Sequence, residues 1–303
     1  MSTTTHDDVR VWVNGERVDG APALAALDHG VTVGDGVFET AKVVDGKVFA
    51  LRRHHDRMER SLRGLGLDPL DRAWVEEGIE AVLEGDPMKL GRLRYTVTAG
   101  PGPLGSDRLS GPMTYIVSAA PVQPVEPSTA VSVVPWVRNE RAATVGLKTT
   151  SYAENVIALA TAREQGATEA LFANSAGALC EGTGSNVFLV LDGVVLTPAL
   201  TSGPLAGITR ALVIEWLTES GLQVVEDEIP LSLLADADEA WLTSSIRDIH
   251  PINAVRVAPS VSTLAGMLEA APASERSFSP APGPITSQAQ EIFSLMAAER
   301  FDP

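Results

Sequence analysis

Three short segments carry residue types that suit one kind of chemistry. The first is Leu147-Lys148-Thr149-Thr150-Ser151-Tyr152, where a lysine stands between apolar Val145-Gly146-Leu147 and a cluster of hydroxyls. A primary amine attacks an aldehyde only when it is uncharged, and burial or a nearby cation lowers a lysine's pKa far enough for that. The candidates are few, because the chain has only four lysines, at positions 42, 47, 89 and 148, among 23 basic residues. The second segment, Cys180-Glu181-Gly182-Thr183-Gly184-Ser185-Asn186-Val187-Phe188, sets Glu181 in a Gly-rich bend between two expected strands. A carboxylate there can face a protonated ring nitrogen and turn the ring into an electron sink. The third, 201–209, leads into an amphipathic helix whose free N–H groups and dipole favour a phosphate. Each segment alone also has a plain reading: a surface lysine, a solvated turn glutamate, an ordinary helix cap.

The rest of the composition narrows the setting. The chain has 303 residues, 45% of them hydrophobic, enough for two domains or one large α/β domain. A net charge of −16 argues against a general nucleic-acid binder, whose footprint is basic. Cys180 is the one cysteine, which rules out an internal disulfide and cysteine-based zinc spacing and suits a reducing cytoplasm. The first ten residues lack the apolar stretch of a signal peptide, and no apolar run reaches the roughly 18 residues of a membrane helix. No pair among the five histidines has metal-ligand spacing, so no metal is expected.

The elements that must position the three segments read as follows. Strands are expected at 9–13, 37–44, 48–49, 92–99 and 113–119, with tight turns at Asn14-Gly15 and Asp45-Gly46. The stretch 31–47 as a whole reads as strand. Helical spacing appears at 51–64, ended by Gly64 or Gly66, and at 71–85. Pro121, Pro124 and Pro127 mark a linker, which divides the chain into a small N-terminal α+β domain, 1–122, and a larger C-terminal domain, 123–303. The second domain is expected to hold strands at 130–135 and 169–174, a hairpin of 186–191 and 194–197 around Asp192-Gly193, and strands at 223–228 and 239–243. Its helices are expected at 153–165, capped by Ser151, and at 207–221. His29 and His250 fall in expected loops, and His54 and His55 pack on the first long helix. The Pro/Ser/Ala-rich stretch 258–284 reads as a connector with a helical turn at 261–268. A last helix, 287–300, is expected to dock through Ile292, Leu295 and Met296.

The order and spacing of the segments resemble the signature of class IV aminotransferases, the fold-type IV pyridoxal phosphate enzymes. The matching run is Glu181-x4-Asn186-Val187-Phe188, then Val195-Leu196-Thr197, then Leu205-Ala206-Gly207-Ile208-Thr209-Arg210, and the likeness extends over about 9–257. The resemblance implies a two-domain α+β fold with a β-barrel-like C-terminal domain, a homodimer, and pyridoxal 5'-phosphate as cofactor. Lys148 resembles the Schiff-base lysine, Glu181 the pyridine-nitrogen partner, and Tyr152 the tyrosine that bonds the cofactor's phenolic oxygen. Arg57, in His54-His55-Asp56-Arg57-Met58, resembles the phosphate-clamping arginine. Ile208, Thr209 and Ser245 resemble the other phosphate contacts, and Gly34-Asp35-Gly36-Val37-Phe38-Glu39 resembles the strand walling the substrate pocket.

Substrate choice rests on fewer residues. Arg94 sits where branched-chain aminotransferases carry a substrate-facing arginine, and an arginine fork suits a carboxylate. Val33 and Phe38 are expected to line the same pocket. The chain has Ala99 and Val31 where D-amino-acid aminotransferases carry an arginine and a tyrosine, and Val33 where branched-chain enzymes carry a pocket tyrosine. It has Glu39 where aminodeoxychorismate lyases carry a threonine, and its loop 100–106 lacks their arginine. The expected activity is transfer of an amino group between an amino donor and a 2-oxo acid. The alternatives are a lyase releasing 4-aminobenzoate and pyruvate from 4-amino-4-deoxychorismate, and a cofactor carrier or sensor without turnover.

Overall fold

Three Asx-Gly pairs set the hairpins. Asn14-Gly15, Asp45-Gly46 and Asp192-Gly193 all have positive φ at both residues, the conformation whose twist matches that of the flanking strands. The structure, a computed structural model, describes residues 8–19, 21–258 and 275–303. The chain forms two units, Met1–Pro124 with Leu147–Tyr152 and Phe301–Pro303, and Val125–Gly146 with Ala153–Arg300.

The first unit contains β1 (Arg10–Val13), β2 (Glu16–Arg17), α1 (His29–Thr32), β3 (Gly36–Val44), β4 (Lys47–Val48), α2 (Leu51–Leu65), α3 (Arg72–Leu83), β5 (Leu90–Thr98) and β6 (Thr114–Pro121). The strands form an antiparallel sheet in the order β2-β1-β6-β5-β3-β4. Alternation along β3 decides what each face does. Val37, Ala41 and Val43 join Leu93, Tyr95 and Val97 of β5 and Met58 and Leu62 of α2 in one buried core. Glu39 shares that helix-covered face by parity, whereas Phe38 lies on the opposite one. Gly66 ends α2 in a left-handed conformation, with Gly64 inside the helix, where Leu147 packs so closely that an added Cβ would meet its side chain at 2.5 Å. Residues 29–32 are helical, where His29 was expected in a loop and 31–32 in a strand, because the Asp28 side chain caps them through the Gly30 N–H.

The second unit contains β7 (Thr129–Arg138), α4 (Ala153–Glu164), β8 (Glu169–Asn174), β9 (Leu179–Gly182), β10 (Asn186–Leu191), β11 (Val194–Pro198), α5 (Ile208–Glu219), β12 (Val224–Asp227), α6 (Leu233–Asp236), β13 (Glu239–Ser244), β14 (Asp248–Val257), β15 (Arg276–Ser277) and α7 (Pro284–Glu299). Its mixed sheet runs β12-β11-β10-β13-β14-β7-β8-β9. The sheet curls so that β9 packs back toward β10 and β11. The resulting interior is filled by Val131, Val133, Leu171, Leu179, Val187, Leu189, Leu242 and Val255. The two units thus have the α+β, partly barrel-like fold that the resemblance implied.

Several local expectations change. Residues 276–277, placed in the connector, pair with β14 as β15, while the turn expected at 261–268 lies outside the described residues. The last helix starts earlier, with Pro284 in its first turn, and buries Thr286, Ala289 and Phe293. Leu295 is 60% exposed. Phe293, tilted against Trp216 at 5.0 Å, sets that face instead of Ile292, Leu295 and Met296. Glu181 and His250 lie within strands, not in a bend or loop. Ser151 donates its hydroxyl to the Gly34 carbonyl, and the helix it was expected to cap begins at Ala153.

Candidate active site

Lys148 is placed by strand pairing in the first unit. Its carbonyl accepts from the Phe38 N–H at 2.9 Å and the Thr150 N–H donates to the Gly36 carbonyl at 2.8 Å, so residues 148–150 lie along the start of β3. Thr149 opposes Val37 in an antiparallel bridge, which sets Lys148 opposite Phe38 on the face away from α2. There Lys148 Nζ stands 4.3 Å from the Phe38 ring centre and 5.5 Å from that of Tyr152. Arg94 belongs to the same face and stacks its guanidinium on Phe38 at 3.7 Å. The two rings meet edge to face at 5.1 Å. Phe38 is buried, so one ring orients an amine, a guanidinium and a phenol. Val33 caps the end of α1, 40% exposed, and stands outside this set of ring and cation contacts.

Arg57 lies on the other, helix-covered face. It donates Nε and Nη2 to the two oxygens of Glu39 at 2.7 and 2.6 Å, a bidentate pair buried on both sides. His54 Nδ1 joins Glu39 Oε2 at 2.7 Å. Burial by itself would raise the Glu39 pKa, but the Arg57 charge and the Arg57 and His54 hydrogen bonds outweigh it and bring it from 4.5 to about 2. Burial lowers the His54 pKa, with partial opposition from Glu39, so His54 is neutral near pH 7. Both pKa values are depressed on folding. Their stabilisation is therefore complete above the unfolded values and is lost as pH falls through the folded ones. The thermal midpoint is expected to fall as pH drops below about 6.5 and to fall further between 4.5 and about 2. A melting temperature that stays flat down to pH 3 contradicts this.

The second unit brings Glu181 and the start of α5 together. Glu181 Oε2 accepts from the Leu205 N–H at 2.9 Å, and its Oε1 is 3.3 Å from Arg138 Nε. The Leu205 carbonyl accepts from Asn186 Nδ2 at 2.8 Å, so one residue of backbone is held at both ends. Gly207 is the N-cap of α5 and offers no side chain to its first turn, which begins with Ile208 and Thr209. Any Cβ on Gly207 would lie 2.0 Å from Asn186 Oδ1. Asn186 faces Thr243 across the sheet, and Ser245 follows in the turn after β13.

These residues fit a phosphorylated cofactor. The uncapped first turn of α5 suits an anion. Ser185 Oγ and Thr243 Oγ1, beside and across from Asn186, are buried hydroxyls with no hydrogen-bond partner, and such groups are rare unless a ligand or water completes them. Sequence reasoning did not assign roles to Arg138, Glu169 or Arg247, and it placed Glu39, His54 and Asn186 in the pocket-wall strand, on the first long helix and in the matching run without foreseeing the bonds that they make. For Glu39 the available signal was a carboxylate on the apolar face of β3 that also carries Val37, Ala41 and Val43, and for Glu169 a carboxylate directly before the apolar run Ala170-Leu171-Phe172-Ala173.

Comparison with known proteins matches this geometry. The family model for amino-transferase class IV matches residues 36–255. A Methanocaldococcus jannaschii protein assigned as a branched-chain-amino-acid aminotransferase is 35% identical over 253 residues, which cover 80% of this chain and 87% of that protein. The aminodeoxychorismate lyase of Bacillus subtilis is 30% identical over 81% of this chain and 86% of its own. The branched-chain aminotransferase of Thermoproteus uzoniensis, solved with norvaline, superposes with a TM-score of 0.81 at 27% identity, covering 96% of this chain and 95% of that one. With a family match over most of its length, a lysine set against β3, and a glutamate tied to a helix start, this chain belongs to the class IV aminotransferases.

Proposed function

We propose that Lys148 is the amine that carries the cofactor while the chain moves an amino group between an amino acid and a 2-oxo acid. The chain is a pyridoxal-phosphate-dependent aminotransferase by family. The observation that carries the residue assignment is the shared ring: Lys148 and Arg94 both lie over Phe38, with Tyr152 at its edge. An amine and a carboxylate-binding fork are then one ring apart, which suits an amino acid substrate.

Pyridoxal phosphate, when bound, supplies the electron sink for the charge left by a broken Cα–H bond. Glu181, its Oε2 fixed by the Leu205 N–H, holds the proton on the ring nitrogen. The α5 start at Ile208 and Thr209, with Ser245 and Arg57, holds the phosphate, and Tyr152 holds the phenolic oxygen. Arg94 takes the substrate carboxylate, with Phe38 and Val33 as pocket wall. With pyridoxal phosphate bound and the substrate's amine in place of its own, the Lys148 amine would take the proton from Cα and deliver it to the carbon two bonds away, across the nitrogen, as general base and then acid.

The same reading makes the protein a cytoplasmic homodimer with no nucleic-acid or membrane partner. The single cysteine supports a reducing cytoplasm and the charge of −16 the lack of a nucleic-acid partner; the homodimer rests on the family resemblance. Among the described residues no helix is long and apolar enough to cross a membrane, and no group of three or more His, Cys, Asp or Glu side chains could hold a metal ion.

The 30% likeness to a lyase makes carbon–oxygen lysis the second reading. One purified sample decides. Half receives L- and D-amino acids and (R)-amines with 2-oxoglutarate or pyruvate, and half receives aminodeoxychorismate. Amino transfer without 4-aminobenzoate is the expected result. Rapid release of 4-aminobenzoate and pyruvate with negligible transfer overturns it, and no turnover in either half points to a carrier.

A further inference from the structure

We propose that Glu169 and Arg247 are a positioning pair that holds together the two turns flanking the cofactor's phosphate. The proposal rests on the assignment of the α5 start and the turn after β13, which carries Ser245, to that phosphate.

Glu169 opens β8 and is buried. One of its carboxylate oxygens receives Arg247 Nη2 at 2.5 Å. The other accepts from the Thr183 hydroxyl, and from the Gly184 N–H at 3.2 Å. Arg247 Nε in turn donates to Ser244 Oγ at 3.1 Å. A single carboxylate is thereby fastened to the turn between Glu181 and Asn186 and, through Arg247, to the turn that carries Ser245. The chain of bonds runs on. The Thr183 carbonyl accepts from Asn155 Nδ2 at 2.8 Å, Asn155 Oδ1 accepts from Arg138 Nη2, and Arg138 Nε lies 3.3 Å from Glu181. The residue assigned to the ring nitrogen and the turn assigned to the phosphate are thus the two ends of one polar network.

Stability alone does not explain such a pair. Taking both charges out of water offsets most of their attraction, and neutral residues of similar shape often serve stability as well. What the pair supplies is direction. The guanidinium fork bonds two partners and the carboxylate three, at fixed angles, which sets the spacing of two turns that apolar side chains would leave free to slide.

The test is equilibrium binding of pyridoxal phosphate to apo-protein, measured with the melting temperature, for wild type, Arg247→Met, Glu169→Gln/Arg247→Met and Ser245→Ala. Arg247→Met leaves the Glu169 charge buried without its cation, and both affinity and melting temperature are expected to fall. The double variant removes both charges. It is expected to melt within a few degrees of wild type yet to bind the cofactor on the order of tenfold more weakly, the usual scale for groups that orient a ligand's direct contacts. A double variant that binds within twofold of wild type, or that does not fold, overturns the proposal. Ser245→Ala reads the underlying assignment separately. If it binds as wild type while the double variant is weakened, Ser245 is removed from the phosphate contacts and the pair stands. If it is weakened and the double variant is not, the pair falls.

Discussion

Lys148→Ala is expected to lose at least about a thousandfold in amino transfer, the scale of a positioned general base and acid, together with the absorbance near 420 nm of the lysine-bound cofactor. The loss is chemical, not structural. The contacts that place the segment are made by its backbone: the Lys148 carbonyl with the Phe38 N–H, and the Lys148 N–H with Ser61 Oγ at 3.2 Å. An alanine keeps both, and Phe38 and Tyr152 still meet edge to face. The variant should therefore fold, melt close to wild type, and bind pyridoxal phosphate reversibly through the phosphate contacts. Retained transfer near the parent rate would show that another amine does the work.

The second large effect is on stability. Glu39→Gln removes the charge that balances Arg57 at a site where Glu39 is fully buried and Arg57 is 4% exposed. Breaking a buried pair from one side leaves the other charge without compensation, at a cost of roughly 3–5 kcal/mol. That lowers the melting temperature by roughly 10 °C or more. The variant should also lose the part of the acid sensitivity that Glu39 contributes between pH 4.5 and about 2. Because Glu39 fixes two of the Arg57 nitrogens, weaker cofactor binding is expected at temperatures where the variant is still folded. Replacing both partners with methionine should restore most of the stability but not the binding. A Glu39→Gln variant that melts with wild type would mean that the pair is not the anchor of α2.

The sequence carried local information well and distant pairings poorly. The hairpins at Asn14-Gly15, Asp45-Gly46 and Asp192-Gly193 were legible because each turn encodes its own positive φ. The order of Lys148, Glu181 and the α5 start was legible through its resemblance to the class IV pattern, and their roles toward the cofactor are the proposal made above. What could not be read is which buried charge meets which. Arg57 and Glu39 are 18 residues apart, and Arg247 and Glu169 are 78 apart. Nothing in the local spacing of either pair signals the other member. The face of α7 was misread for a related reason. Ile292, Leu295 and Met296 make a plausible stripe, but the partner on α5 is Trp216, and it selects Phe293. The strand expected across 31–47 failed at its start because Asp28, just upstream, caps a helical turn there. Val33, expected in the pocket wall from the resemblance, stands at the end of α1.

The chain's small lysine count makes the central claim directly measurable. Holoenzyme is reduced with borohydride, which fixes the cofactor to its amine, then digested, and the modified peptide is identified by mass. The expected result is one pyridoxyl group per chain on Lys148. A label on Lys42, Lys47 or Lys89, or no label at all, contradicts the assignment of Lys148 and the mechanism built on it.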